Sequence, residues 1–205
     1  MDNHEIEQKL YDQGYELIAG VDEVGRGCIA GPVVASAVII PKGCHIEGVM
    51  DSKKISDKKR RILKEQIEAK AIAYATVFVS EKKIDEINIL NASKLAMEKA
   101  IQSLSVKPDF VLIDAVKLNL DIPSESIIKG DDLCFAISCA SILAKVTRDD
   151  FMINLDREFP DYGFAQNKGY PTKKHLNALN NEGILDIHRK SYAPVQRIAA
   201  IHLKK

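Results

Sequence analysis

Apolar positions along the chain fall into runs of two kinds. Leu17–Val24 and Val33–Ile40 are rich in β-branched residues and read as two strands. Gly25-Arg26-Gly27 and Gly31-Pro32 separate them, so a hairpin-like pair is expected. Ala71–Val79 reads as a further strand, Phe110–Ile113 as a short one ending at Asp114, and Ile127-Ile128 as another before Gly130. Helical spacing governs the rest. Glu5–Tyr11 predicts a short helix ended by Gly14. Ser56 is placed to cap a helix to about Lys70, with Ile62, Leu63, Ile67 and Ala71 near one face. Ile89–Leu104 carries Leu90, Leu95, Met97, Ala100 and Ile101 at helical intervals. Phe135–Phe159 predicts a long helix with Ile142, Leu143, Val146 and Leu155 inward, and Thr172–Asn181 and Pro194–Leu203 predict two more. Strands first, alternation next and helices last describe an α/β fold, with a mixed central sheet flanked by helices and a helical C-terminal extension.

Length and composition narrow the class. The chain has 205 residues, of which 46% are apolar and 28% charged, the profile of a globular protein with a substantial core. Residues 1–16 are expected to form an N-terminal helical extension, and 17–205 one catalytic domain that includes C-terminal helices from about residue 172. The polar start and the lack of any run of 18 apolar residues argue against a signal peptide and a membrane span. Cys28, Cys44, Cys134 and Cys139 form no C-x-x-C pair and read as reduced thiols of a cytoplasmic protein.

Charge is balanced in total, at 29 basic and 29 acidic residues, which by itself makes nucleic acid a poor guess as partner. It is not balanced along the chain. Met1–Glu23 holds seven acidic residues and one basic; Asp51–Lys64 carries net +5 and Lys168–Lys205 net +6. A neutral total can therefore hide a basic face and an acidic cluster.

The acidic cluster has chemistry in it. Asp22-Glu23 and Asp114 each end an apolar strand-like run, where a carboxylate is costly unless paired or bound to a cation. Each alone has a plain reading, since Asp often forms turns at strand ends, and Asp131 or Asp132 behind Gly130 can simply cap the long helix. Together, converging carboxylates repel one another unless divalent cations neutralise them. Oxygen-only ligands suit Mg²⁺ or Mn²⁺, and two such ions about 4 Å apart support phosphodiester hydrolysis. Asp22 and Glu23 are adjacent, so a regular strand sends them to opposite faces; serving one site needs a bend or a loosened strand end. Gly25-Arg26-Gly27 follows at once. Glycine amides can approach a phosphate or hydroxyl closely, and Arg26 suits phosphate.

Gly20-Val21-Asp22-Glu23-Val24-Gly25-Arg26-Gly27, with Gly31-Pro32-Val33-Val34, resembles the start of the type 2 ribonucleases H, bacterial ribonuclease HII above all. The resemblance continues through Asp51-Ser52-Lys53-Lys54, Leu112-Ile113-Asp114, Lys129-Gly130-Asp131 and Ala140–Asp149. It ends with Lys168-Gly169-Tyr170, Thr172 and His175, then His188-Arg189 and Ser191. Order and spacing hold from about Leu17 to Val195. The resemblance implies a ribonuclease H-like fold and a metal-dependent endonuclease. Such enzymes cut the RNA strand of RNA–DNA hybrids and nick duplex DNA 5′ to a lone ribonucleotide, leaving 3′-hydroxyl and 5′-phosphate ends. It implies Asp22, Glu23, Asp114 and Asp131 as the acidic ligands of two Mn²⁺ or Mg²⁺ ions, with Asp132 an open alternative to Asp131. It matches Gly25, Arg26 and Gly27 to a ribose-sensing turn and Tyr170 to a tyrosine that packs on the neighbouring sugar. Lys53 and Lys54 are candidate phosphate contacts, with Lys53 the one counted as substrate-binding. Ala115 stands where the family often has glycine. Lys145 and Arg148 are left to face DNA or to brace the acidic site.

Other readings predict other things. A ribonuclease H-fold ATPase would need Ser or Thr in the phosphate turn and a longer, two-lobed chain. A non-catalytic nucleic-acid binding module would not place four carboxylates against phosphate. The sister enzyme ribonuclease HIII usually carries an extra N-terminal domain, for which 16 residues before Leu17 leave no room. The expected protein is a monomer acting on RNA–DNA hybrids and ribonucleotide-containing duplex DNA, with no membrane partner.

Overall fold

The computed structural model describes residues 4–50, 52 and 55–202. Lys53 and Lys54 therefore lie outside the described residues. The sheet follows from the apolar runs. β1 (Ile18–Val24) pairs antiparallel with β2 (Val33–Ile39), as the two glycine-rich turns require. β2 pairs antiparallel with β3 (Ala73–Val79), β1 parallel with β4 (Phe110–Asp114), and β4 parallel with β5 (Ser124–Ile127). The order is β3-β2-β1-β4-β5, a mixed sheet with β1 at its centre.

Helices cover both faces. α1 (Glu5–Asp12) precedes the sheet, α2 (Asp57–Lys70) joins β2 to β3, and α3 (Glu81–Gln102) joins β3 to β4. After β5 come the one-turn α4 (Gly130–Leu133), the long α5 (Phe135–Glu158), the one-turn α6 (Phe164–Asn167), α7 (Lys173–Glu182) and α8 (Ala193–His202). Ala92, Ala96, Met97, Ala100 and Ile101 of α3 pack on one sheet face with Ala19, Val21, Ala35, Ala37, Val111 and Ile113. On the other face, α5 residues Phe135, Cys139, Ile142, Leu143 and Val146 pack with Leu63 and Ile67 of α2 and Val38 of β2. α7, α8 and the end of α5 close a further cluster around Ile29, Met152, Phe164, Leu179 and Ile198. Among the described residues no helix is long and apolar enough to cross a membrane.

Three expectations change. The helix expected at Ile89 begins at Glu81, capped by Ser80, and breaks at Asn88 (φ 66°), whose side chain then caps the second segment through the Asn91 amide. β5 comes earlier than Ile127-Ile128: Ser124–Ile127 pairs with β4, while Ile128 is 78% exposed. Ile62 and Leu90, expected inward, are exposed, because the buried stripes of their helices run through Leu63 and Ile67 and through Ala92, Ala96 and Met97.

Two contacts hold α5 where the site needs it. Glu7 of α1 accepts from the Ala136 amide at 2.8 Å and from Cys134 Sγ at 3.2 Å, and so caps the N-terminus of α5. Gly20 lets α5 touch β1. A Cβ there would lie 2.2 Å from the carbonyl carbon of Ala136. Gly20→Ala is therefore expected to cost about 1–3 kcal/mol by overpacking, read as a lower urea midpoint. An unchanged midpoint would mean that β1 and α5 can part without cost.

Candidate active site

The parallel pairing of β1 with β4 brings the expected carboxylates together. Val21 sits opposite Ile113, so the next residues, Asp22 and Asp114, end adjacent strands on one side of the sheet. That side is the α5 side, where the Ser141 hydroxyl of α5 lies near enough to Asp22 to favour its charged form. Ser52 joins the cluster through its hydroxyl, 2.9 Å from that of Ser141. Asp114 Oδ1 accepts from the Gly130 amide at 2.8 Å, which ties the start of α4, and Asp131 with it, to the end of β4. Asp131 is buried and Asp132 exposed.

β1 does not bend at the acidic pair. Its pairing with β2 stays regular through Glu23 and Val24, so the two side chains leave the strand in opposite senses. Both nonetheless feel Asp114. Burial, then the charges of Glu23 and Asp114, hold the Asp22 carboxyl well above the usual carboxylate range. Burial also raises Glu23; Arg26 opposes that rise and Asp114 adds to it. Arg26 Nη1 lies 3.5 Å from Glu23 Oε1. Like-charge crowding with desolvation is the condition a divalent cation relieves.

Among the described residues, no three His, Cys, Asp or Glu side chains already stand in ion-holding geometry. The fit of a hard cation rests on other observations. Glu23 Oε2 is buried without a hydrogen-bond partner, and the donor set is oxygen only.

The glycine turn is held from behind by two arginines that are 0% exposed. Arg189 donates through Nη2 to the Gly25 carbonyl (2.7 Å), through Nη1 to that of Arg26 (3.0 Å) and through Nε to that of Gly31 (2.9 Å). Tyr192 Oη adds a bond to the Arg26 carbonyl at 2.7 Å. Arg148 donates to the carbonyls of Ala30, Pro32 and Lys168 at 3.1, 2.9 and 2.8 Å. Its Nε lies 2.2 Å from where a Cβ of residue 25 would stand, and Gly25 has φ +96°, so this position needs glycine twice over. Arg148 thus neither faces DNA nor braces the carboxylates: it braces the glycine turn. Lys145 pairs with Asp149 at 2.8 Å.

The direction of those carbonyls matters. In a trans peptide, C=O and N–H point opposite ways. With the Gly25 and Arg26 carbonyls drawn inward, the amides of Arg26 and Gly27 face outward, and among the described residues neither finds a backbone acceptor. Tyr170, 40% exposed, lies beside them, its Cε1 3.7 Å from the Cβ position of Gly27. The Gly169 carbonyl accepts from Ile29 at 2.8 Å and locks the two segments in register.

Of the expected site residues, Asp22, Glu23, Asp114, Asp131, Gly25, Arg26, Gly27 and Tyr170 therefore gather at one end of β1 and β4; Lys53 lies outside the described residues. Sequence reading missed the supports. Arg189 was visible only as part of the His188-Arg189 pair, and Asp85, which accepts from the Lys190 and Ser191 amides at 2.8 and 2.9 Å, carried no signal beyond a polar stretch.

The fold and site have relatives. A sequence profile of Ribonuclease HII matches residues 19–195. The ribonuclease H2 of Pyrococcus horikoshii superposes with a TM-score of 0.77 at 27% identity, over 92% of this chain and 99% of that one. Ribonuclease HII of Archaeoglobus fulgidus, solved in complex with PCNA, gives a TM-score of 0.72 at 26% identity, covering 89% and 96%. Bst ribonuclease HIII, solved with Mn²⁺, shares the fold at 17% identity and a TM-score of 0.68, covering 95% and 73%. The profile takes in all the gathered residues from Asp22 to Tyr170 together with Arg189, and this chain belongs to the ribonuclease HII family, with the ribonuclease H activity that membership carries.

Proposed function

We propose that this ribonuclease H hydrolyses phosphodiesters with two bound divalent ions, Mn²⁺ or Mg²⁺, held by Asp22, Glu23, Asp114 and Asp131. We propose further that besides RNA–DNA hybrids it nicks duplex DNA 5′ to a lone ribonucleotide, leaving 3′-hydroxyl and 5′-phosphate ends. The observation that carries this reading is the junction of two features: crowded, desolvated carboxylates at the ends of β1 and β4, and outward amides three to five residues beyond the β1 pair.

The bound ions would activate water and stabilise the leaving oxygen. The chain's own residues do the rest. Asp114 orients the start of α4 through the Gly130 amide and so sets where Asp131 stands. The Arg26 and Gly27 amides are placed to read the one group that separates a ribonucleotide from a deoxyribonucleotide, its 2′-hydroxyl. Tyr170 offers a ring face beside Gly27 for the neighbouring sugar. If that contact forms fully only as the bond breaks, recognition raises the rate rather than the affinity alone. Of the two acidic neighbours, burial favours Asp131 over the exposed Asp132 as the fourth ligand.

Bulk attraction is modest in this reading. Several α2 cations are already paired, Arg61 with Asp57 and Asp150, and Lys64 with Glu68. A cytoplasmic monomer of zero net charge would bind duplex weakly and with clear salt dependence.

The test is a DNA duplex carrying one ribonucleotide. With Mn²⁺ or Mg²⁺ a single nick 5′ to that position is expected; a chelator should abolish it and added metal restore it. Cleavage elsewhere, or cleavage that survives chelation, would overturn the proposal.

A further inference from the structure

Two histidines take no part in the chemistry above, yet both are 0% exposed. His175 lies on α7, and His188 directly precedes Arg189. Their Nε2 atoms are 3.1 Å apart. Such a contact requires one nitrogen to carry hydrogen and the other to accept it. The far end decides which. His175 Nδ1 lies 2.9 Å from the Tyr170 carbonyl, which can only accept. The hydrogen of a neutral His175 is therefore on Nδ1, and its Nε2 is the acceptor. His188 must then carry its hydrogen on Nε2 and leave Nδ1 bare; of the two Leu185 groups near Nδ1, it accepts from the closer amide at 3.0 Å, with the Leu185 carbonyl further off at 3.3 Å. The chain of bonds runs one way: Leu185 N–H, His188, His175, Tyr170 C=O. Burial lowers both imidazoles below their ordinary value, His188 to about 4 with help from His175, consistent with a neutral pair. Phe164 packs edge-on against His175, and Tyr162 lies against His188.

The pair joins the two halves of the ribose-reading surface. On one side, His188 bridges Ala30, and Arg189 holds the Gly25 and Arg26 carbonyls. On the other side stands Tyr170.

We propose that His175 and His188 are positioning residues for ribonucleotide recognition, fixing the Tyr170 backbone against the Gly25–Gly27 turn so that loss of the link costs discrimination rather than bond cleavage. This rests on the reading of Tyr170 as the residue that packs on the neighbouring sugar.

His188→Leu removes the donor; His188→Gln keeps an amide donor near Nε2. kcat and KM would be measured on duplex DNA with one ribonucleotide and on a long RNA–DNA hybrid. His188→Leu should lower kcat/KM on the first substrate about tenfold relative to the second, the scale of one lost buried hydrogen bond. His188→Gln should stay within about threefold of the wild-type ratio, which a purely structural role would not predict. In a Tyr170→Ala background, His188→Leu should shift the ratio no further. A folded His188→Leu protein with the wild-type ratio would overturn the proposal, provided Tyr170→Ala alone shifts it. If Tyr170→Ala alone does nothing, the reading of Tyr170 has failed and the proposal falls with it. Should His188→Leu not fold, His175→Asn serves the same comparison, since the shorter amide can keep the donor at the Nδ1 position but does not reach His188 Nε2; an unchanged ratio there also overturns the proposal. Nitrogen-15 spectra of the wild-type protein must show hydrogen on His175 Nδ1 and His188 Nε2, and the opposite tautomers would refute the link.

Discussion

Asp114→Asn is expected to lower hydrolysis of an RNA–DNA hybrid by about 10²–10⁴-fold at saturating Mg²⁺ or Mn²⁺, the range expected when several kcal/mol of cation-assisted stabilisation is lost. The substitution is nearly isosteric. The asparagine carbonyl can still accept from Gly130, so α4 should stay where it is. What disappears is a negative charge that raises both Asp22 and Glu23. Removing it relieves repulsion within the site, so the thermal midpoint should hold or rise while turnover collapses. That opposite movement separates a ligand from a structural residue. Full activity in Asp114→Asn would remove Asp114 from the proposed site.

Arg189→Met should instead act on the fold, with a loss of about 3–5 kcal/mol. An apolar replacement for a buried ion pair can be harmless when both partners go. Here the partners are backbone carbonyls of Gly25, Arg26 and Gly31, which no substitution removes. They would be left buried and short of donors. Tyr192 would still serve Arg26, but among the described residues Gly25 would keep only the long bond from the Cys28 amide, at 3.5 Å. Arg189→Lys should recover little, because one ammonium cannot reach three carbonyls spread along the turn. Urea unfolding reads the effect, and a loss under about 1 kcal/mol would mean that water substitutes for the guanidinium.

The strands and the acidic residues could be read from the chain because burial and charge conflict there. An apolar run ending in Asp demands an explanation that the surrounding composition does not supply. Elsewhere no such conflict shows. Ser124–Ile127 is an edge strand with three exposed residues, so it has no buried face to give it a pattern. The first segment of α3 is polar because its task is to present Asp85 to the Lys190 and Ser191 amides. In the sequence, Arg148 stays open between facing DNA and bracing the acidic site, because a cation on a helix carries no local sign of its partners; only the space at Gly25 and Gly31, both filled by neighbouring side chains, betrays where it goes. Ala115 is legible in hindsight: its φ of +53° is the conformation for which glycine is the usual choice.

Inward carbonyls also bear on how the enzyme searches. Fixing a residue's backbone costs about 1–2 kcal/mol of conformational entropy, and a mobile three-residue loop would meet that cost each time it closed on a duplex. With both guanidiniums already satisfied by the turn and its flanks, residues 25–27 meet it once, when the chain folds. Under the proposed reading of this turn, inspecting a sugar would need no rearrangement, and a deoxyribose would be released as quickly as it is met.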